Sequence, residues 1–210
     1  MLMKLPSPLR RAVWIAKSLP KRMRRGDGFP PRLHLGCGPL RAAGWCNVDV
    51  TNRASVDVID NILTLDKFKD NFASEIYACH VLEHLAHNEV PPTLARWFAV
   101  LKPGGTLRIS VPDLDRIVKI YGANTKHFQT PGNSPWIGLI YGGQNDKHDF
   151  HKTGFNFCWM KKLLEDADFT GVEEYPHEPH FIPEMRDASL AKEPFGEFLS
   201  LNVLARKPGP

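Results

Sequence analysis

Short apolar runs and helical repeats alternate along most of this chain. The apolar runs, bounded by Gly, Pro, Asp or Asn, predict seven short strands, at 32–35, 46–50, 56–60, 75–79, 105–111, 171–175 and 199–205. Apolar positions at helical spacing predict three helices, one through Leu94, Trp97 and Phe98, one capped by Asp113, and one from Phe157 to Ala167. This alternation predicts an α/β fold built on a parallel sheet.

Residues 122–155 interrupt the alternation. They are rich in Gly, Asn, Pro and aromatic residues, and they follow the fifth predicted strand. Because long irregular loops in compact domains are usually functional, we expect this insertion to form a lid over the strand carboxyl ends, where ligands of open α/β sheets bind. The chain thus divides into an arm at 1–31 and one domain at 32–210 that carries the lid.

A glycine turn follows the first strand. Gly36 and Gly38 flank Cys37 directly after Leu35, and Asp49 ends the second strand. Glycine lets a backbone turn sharply and approach a ligand, and a carboxylate at the next strand end can bind ribose hydroxyls. The pattern predicts a site for a nucleoside-bearing cofactor.

The spacing argues against a dinucleotide. Arg41 stands where G-x-G-x-x-G has its third glycine, and Asp49 follows Gly38 by 11 residues, whereas dinucleotide folds place the acid about 20 residues on. A cofactor without phosphates needs no helix N-terminus aimed at it. S-adenosylmethionine is such a cofactor.

Further segments strengthen this interpretation. Leu82-Glu83-His84 follows the fourth strand, and Leu101-Lys102-Pro103-Gly104-Gly105 precedes the fifth. With Leu35-Gly36-Cys37-Gly38, these segments resemble the small class I S-adenosylmethionine-dependent methyltransferases over roughly residues 32 to 207. The resemblance implies a doubly wound, Rossmann-like, mostly parallel seven-stranded sheet with an antiparallel last strand.

The resemblance also implies the cofactor contacts. Gly36, Cys37 and Gly38 would line the methionine part, Asp49 would bind the ribose, and His80 would flank the cofactor near the acceptor. The full set of expected cofactor-binding residues is Leu35, Gly36, Cys37, Gly38, Asp49, Val50, Asp60, Asn61 and His80. Many family members carry an acid two residues before the first glycine, and here that position holds His34.

The distribution of charge and the spacing of the cysteines limit which partners and which redox compartment we expect. Residues 1 to 32 hold nine Lys/Arg and one acid, whereas the other 178 residues hold 18 Lys/Arg and 22 acids, so the domain itself is net acidic. A nucleic-acid enzyme would more often spread positive charge around its cleft, and we expect no nucleic-acid partner. The four scattered cysteines form no Cys-x-x-Cys pair, which fits a reducing, cytoplasmic setting.

The arm has its own pattern. Within residues 7–25, apolar side chains share one helical face with Trp14 at its border, and a basic run follows Pro20. A basic amphipathic helix either packs on the domain or lies on an anionic membrane surface. Peripheral contact with the inner face of a membrane is therefore an open expectation, whereas no segment is apolar enough to span a bilayer.

Histidines are the candidate bases. Methyl transfer to oxygen calls for a base with a pKa near neutrality, and we take His84, His148 and His151 as catalytic candidates. Each also has a structural alternative, helix capping for His84 and lid packing for the other two. We assign no metal site, although a divalent ion held by Asp146, His148 and His151 is an alternative.

The sequence thus predicts methyl transfer from S-adenosylmethionine to oxygen of a small-molecule or glycan-like acceptor, or of a lipid-linked one if the arm contacts a membrane. Two other functions stay open: a non-catalytic protein that binds S-adenosylmethionine, and an oxidoreductase with a nucleotide cofactor. The oligomeric state is not determined by the sequence.

Overall fold

The computed structural model describes residues 20, 26–123, 135–192 and 196–209. Seven strands form one sheet in the order β3-β2-β1-β4-β5-β7-β6. They are β1 (Arg32–Leu35), β2 (Cys46–Asp49), β3 (Val58–Ile59), β4 (Ala73–Cys79), β5 (Leu101–Pro112), β6 (Thr170–Glu174) and β7 (Ser200–Arg206). The first five strands pair in parallel, and β7 runs antiparallel between β5 and β6. The α/β class and the antiparallel last strand are confirmed.

Four helices accompany the sheet in the described part of the chain. They are α1 (Val90–Val100), α2 (Leu114–Ala123), α3 (Pro135–Tyr141) and α4 (Phe157–Asp166). Their starts follow the expected chemistry: Asp113 accepts from the backbone N–H of Asp115 at 3.1 Å, and Asn156 accepts from that of Trp159 at 3.0 Å. No helix lies between β1 and β3, where the sequence leaves little room for one.

The main core lies on one face of the sheet. Leu94 and Trp97 of α1 and Met160 of α4 pack there against β1, β4 and β5. The side chain of Tyr77 belongs to a second cluster, which is covered by the irregular segment carrying Ile182 and Met185. At Tyr77 the cover is therefore a loop, not a helix.

Two strand boundaries and one helix differ most from the prediction. β3 is shorter, because the Asp57 carboxylate accepts from the backbone N–H of Asn47 at 3.1 Å. β5 begins at Leu101, where the backbone turns extended directly after α1 and pairs with Ala73. The insertion, predicted to be irregular, contains α3, because Leu139 and Ile140 have a packing surface on α2.

Part of the arm joins the domain. Residues 26–28 form a short 3-10 turn, and Phe29 is buried in the main core. Apart from Pro20, the amphipathic segment 7–25 lies outside the described residues. Among the described helices, none has the length and apolar character needed to cross a membrane.

Candidate active site

The glycine turn is fixed by close packing. Gly36 and Gly38 both have positive φ, at 62° and 53°. A Cβ on Gly36 would overlap the side chain of Val81, whereas one on Gly38 would meet nothing within 4 Å. Gly36 is therefore needed for the approach of β1 to the end of β4, and Gly38 leaves open space beside the turn.

The carboxylate of Asp49 holds this turn from the end of β2. It accepts hydrogen bonds from the backbone N–H of Gly38 at 2.9 Å, from that of Thr51 at 2.8 Å and from the Thr51 hydroxyl at 2.7 Å. A carboxylate offers about four acceptor positions, so one remains for a ligand. Asp49 is positioned to bind a hydroxyl group that approaches the turn.

One pocket of about 670 Å³ opens at this edge of the sheet. Six of the residues expected to bind the cofactor line it: Gly36, Gly38, Asp49, Val50, Asn61 and His80. Two candidate bases, His84 and His148, line it as well. The volume lies in the range of small-molecule sites, and the pocket brings the cofactor residues and the candidate bases into one cavity.

Three other expected cofactor residues do not line this pocket. Leu35 and Cys37 are buried, and burial raises the pKa of the Cys37 thiol to about 12, so it is no nucleophile at neutral pH. The Asp60 carboxylate accepts from the backbone N–H groups of Asn61 and Lys67 at 2.9 and 3.0 Å. Burial raises the pKa of Asp60. In the structure, Asp60 shapes the loop that presents Asn61.

His34 also lies away from the pocket. It is buried, its Nδ1 is 3.1 Å from the side-chain oxygen of Asn47, and its ring stacks on Tyr77 with centroids 5.5 Å apart. Burial lowers the pKa of His34, which favours the neutral ring. The histidine thus fills a place in the packing around Tyr77.

His80 is held in an unusual backbone conformation at the end of β4. Its φ is 51°, and its N–H donates to the carbonyl of Ser110 at 2.8 Å. Its Nε2 lies 2.8 Å from the Ser200 hydroxyl, and burial lowers its pKa to about 4. Positive φ is uncommon outside glycine and often marks functional positions.

A second group of polar side chains meets beside His80. Glu83, His84 and His151 each bring one oxygen or nitrogen atom to within 4.8 Å of the others. Glu83 is buried, with a side chain only 1% exposed, and burial raises its pKa to about 8. Burial also lowers the pKa of His84 and of His151. We call these three residues the Glu83 cluster.

The lid brings His151 to this place. The carbonyl of Glu83 accepts from the backbone N–H of Lys152 at 2.7 Å, and the Thr153 hydroxyl donates to the carbonyl of Leu85 at 2.7 Å. The imidazoles of His84 and His151 then stand edge to face, with centroids 5.0 Å apart. From the sequence, Glu83 was paired with the candidate base His84, with helix capping as the alternative role. The burial of Glu83 depends on a lid segment 68 positions later.

His148 belongs to a different environment. It is exposed, and its backbone N–H donates to the Asp146 carboxylate at 2.7 Å within a local turn. Both residues line the mouth of the pocket together with Lys147, Asp149 and Lys152. Among the described residues, His151 groups with Glu83 and His84, not with Asp146 and His148. Asp146, His148 and His151, considered together from the sequence, therefore do not form one such group within the described residues.

Comparison with known proteins bears on the fold. No family model matches the sequence, and no curated protein matches it. The structure is similar to an S-adenosylmethionine-dependent methyltransferase from Archaeoglobus fulgidus, with a TM-score of 0.51, 14% identity, and coverage of 95% of this chain and 91% of that one.

Two further similar structures are methyltransferases whose names specify nitrogen and carbon as the methylated atom. The 1,6-didemethyltoxoflavin-N1-methyltransferase of Burkholderia thailandensis, with bound S-adenosylhomocysteine, gives a TM-score of 0.51 at 18% identity, covering 96% of this chain and 79% of that one. The CurJ carbon methyltransferase gives 0.50 at 16%, covering 91% of this chain, which spans 50% of its length. At these identities, the likeness concerns the fold alone. The chain therefore has the fold of the class I S-adenosylmethionine-dependent methyltransferases.

Proposed function

We propose that this protein transfers a methyl group from S-adenosylmethionine to an oxygen atom of a small polar or glycan-like acceptor. The observation that carries the proposal is a pocket lined by both Asp49 and His84. Methyl transfer needs the cofactor and the acceptor held next to each other, and the sulfonium supplies the reactivity. A pocket with a cofactor side and a histidine side suits that requirement.

The absence of a helix after β1 favours this cofactor over a dinucleotide. Between β1 and β2, residues 36–45 form turns and irregular backbone only, so no helix N-terminus in this stretch faces the glycine turn. A pyrophosphate would lose its usual partner at such a turn. The remaining acceptor position of Asp49 suits a ribose hydroxyl instead.

The acceptor side of the pocket mixes charges. Lys147 and Lys152 stand near Asp146 and Asp149, and His84 and His148 add imidazoles. Such a wall suits a polar acceptor with several hydrogen-bonding groups, and an imidazole there can take the proton of an acceptor hydroxyl. This chemistry supports oxygen as the methylated atom.

Titration calorimetry with S-adenosylhomocysteine tests the cofactor assignment. We expect micromolar binding by the wild type and a roughly tenfold weaker affinity for Asp49→Asn, because a charged acceptor is replaced by a neutral one. Asp166→Asn is the matched control, since Asp166 is exposed and pairs with Lys162 at 2.6 Å on the protein surface. Binding of NADH, with none of S-adenosylhomocysteine, would contradict the proposal.

Turnover distinguishes an enzyme from a binding protein. Incubation with labelled S-adenosylmethionine and pools of hydroxylated small molecules or glycans is expected to release S-adenosylhomocysteine and a labelled product. Cofactor binding without transfer to any pool would instead support the non-catalytic alternative.

A further inference from the structure

The Glu83 cluster joins two distant parts of the chain. Glu83 and His84 lie in the 3-10 turn Leu82–His84 that follows β4, and His151 comes from the lid. Two imidazoles and a carboxylate are a common protein ligand set for divalent transition metals. To bind one ion, their ring nitrogens and carboxylate oxygen must have lone pairs that are not used in other hydrogen bonds.

Both histidines are held in one tautomer by backbone carbonyls. The Nδ1 of His84 lies 3.1 Å from the carbonyl oxygen of Phe150, and the Nδ1 of His151 lies 3.1 Å from that of Leu139. A carbonyl only accepts, so each Nδ1 carries the proton and each Nε2 keeps its lone pair. A hydrogen bond of this kind orients a metal-binding histidine.

The free nitrogen of His151 faces Glu83. Its Nε2 is 4.0 Å from the Glu83 Oε1, a separation that exceeds a hydrogen bond and leaves room between the two atoms. Two ligands of one tetrahedral ion, each about 2.1 Å from it, are separated by about 3.4 Å. A shift of about 0.6 Å would therefore bring the two atoms into one coordination sphere.

Glu83 supplies a second, independent observation. Its side chain is 1% exposed, and neither carboxylate oxygen accepts a hydrogen bond within the described part of the chain. The Nδ1 of His80 comes within 3.3 Å of Oε1, but it does not form a hydrogen bond there. Burying a carboxyl group without partners costs free energy, and a cation bound to its oxygens would offset that cost.

We propose that Glu83, His84 and His151 bind a divalent transition-metal ion of the Zn²⁺ class. Three protein ligands leave a coordination position open, as in catalytic sites. His84 lines the pocket, so the site lies next to the acceptor side. A bound ion would lower the pKa of an acceptor hydroxyl there. This catalytic role rests on the proposed methyl transfer, whereas the binding of the ion does not.

Metal titration of the chelator-treated full chain tests the site. We expect one equivalent of Zn²⁺ to bind with micromolar affinity or better. We expect Co²⁺ to give visible absorption bands typical of a four-coordinate site. His151→Ala and Glu83→Gln are each expected to weaken Zn²⁺ binding by roughly a hundredfold or more, since loss of even an outer-shell partner costs about 10–100-fold.

His148→Ala is the matched histidine variant. It removes an exposed imidazole from the same pocket, and the Zn²⁺ affinity is expected to stay within twofold of the wild type. Loss of Zn²⁺ binding in His148→Ala with retention in Glu83→Gln would overturn the assignment, as would equal affinity in all four proteins or no binding by the wild type.

Folding and cofactor binding are followed on the same samples. Glu83→Gln keeps the size of the side chain, so it decides the question even where His151→Ala does not fold. S-adenosylhomocysteine affinity of Glu83→Gln is expected to match the wild type, because no ligand of the ion is an expected cofactor residue. Loss of Zn²⁺ binding with the cofactor affinity retained supports the metal site, and a wild type that binds cofactor but no Zn²⁺ overturns it without touching the proposed function.

Discussion

Two clusters of polar side chains lie next to β4, and they differ in whether their buried polar atoms have hydrogen-bond partners. The Glu83 cluster lies beyond its carboxyl end, and the Glu83 carboxyl group has no hydrogen-bond partner among the described residues. The other group surrounds Tyr77 within the strand: its hydroxyl donates to Asp187 at 2.6 Å, and Ser189 donates to the same carboxylate from its hydroxyl at 2.6 Å. We call Tyr77, His180, Asp187 and Ser189 the Asp187 cluster.

The Asp187 cluster is hydrogen-bonded throughout. Nδ1 of His180 lies 3.0 Å from both the backbone nitrogen and the carbonyl oxygen of Ile182, and its Nε2 lies 3.3 Å from the Tyr77 hydroxyl and 3.4 Å from the Asp187 carboxylate. Although burial alone would raise the pKa of Asp187, these contacts, above all the one with His180, hold it well below its usual range. This cluster ties the loop between β6 and β7 to the sheet.

The contrast separates two uses of buried polarity. A fully bonded network specifies packing, and removing one member leaves the others unpaired. An incompletely bonded group contributes no such stabilisation, and in the Glu83 cluster the Nε2 of His151 lies 4.0 Å from Oε1 of Glu83. We therefore assign the Asp187 cluster to stability and the Glu83 cluster to ligand binding, and the variants below test that division.

The largest effect is expected for Asp187→Ala. It removes the acceptor of Tyr77 and Ser189 in a buried place, and we expect the free energy of unfolding to fall by about 3 kcal/mol. Urea unfolding followed by tryptophan fluorescence measures it. Asp166→Ala, which removes an exposed carboxylate, is expected to change it by less than about 0.5 kcal/mol. A loss below about 1 kcal/mol for Asp187→Ala would break the comparison.

A smaller effect is expected for Tyr77→Phe. Only the hydroxyl is lost, while the ring keeps its stacking on His34, and Asp187 retains its bonds to Ser189. The free energy of unfolding should fall by about 1.5 kcal/mol, the size of a buried hydrogen bond to a charged group. Unfolding in urea gives the value, and an unchanged midpoint would show that the hydroxyl adds nothing to the cluster.

The pH dependence of stability sharpens the assignment to Asp187. Its folded pKa is lowered, so its contribution is present above its unfolded pKa and is lost as pH falls towards the folded value. For an unfolded pKa of about 3.9, the advantage of the wild type over Asp187→Asn should shrink by about 1 kcal/mol between about pH 6 and pH 3. Parallel stability curves for the two proteins would argue against this linkage.

The smallest change in stability is expected for Glu83→Gln. The carboxyl group has no hydrogen bond to lose within the described structure, so the metal-free protein should keep its free energy of unfolding within about 1 kcal/mol of the wild type. The measurement is urea unfolding in the presence of a chelator. A loss as large as that of Asp187→Ala would mean that both clusters serve stability.

Local patterns were enough for much of the fold. The apolar runs and the Asp113 cap predicted five of the strands and three helices closely, because each depends on burial of one face or on a single local bond. The glycine turn and Asp49 could also be predicted, because they lie only 11 residues apart and are joined by one hydrogen bond.

Features that depend on contacts between distant residues could not be predicted from the sequence. The helix α3 was missed because its apolar residues gain a helical environment only from packing on α2. The metal alternative from the sequence grouped His151 with Asp146 and His148, its neighbours along the chain. In the structure, His151 instead contacts residues that lie 67 and 68 positions earlier. Spacing along a loop does not fix which way its side chains face.

The sequence by itself determined the α/β class, the glycine turn and the net acidic charge of the domain, because these follow from periodicity, glycine positions and composition. Tertiary structure alone decided that Glu83 is buried without a hydrogen-bond partner among the described residues and that Asp187 reaches Tyr77 across 110 residues. Burial and pairing are properties of assembled surfaces, so two acids of one chain can end in opposite roles.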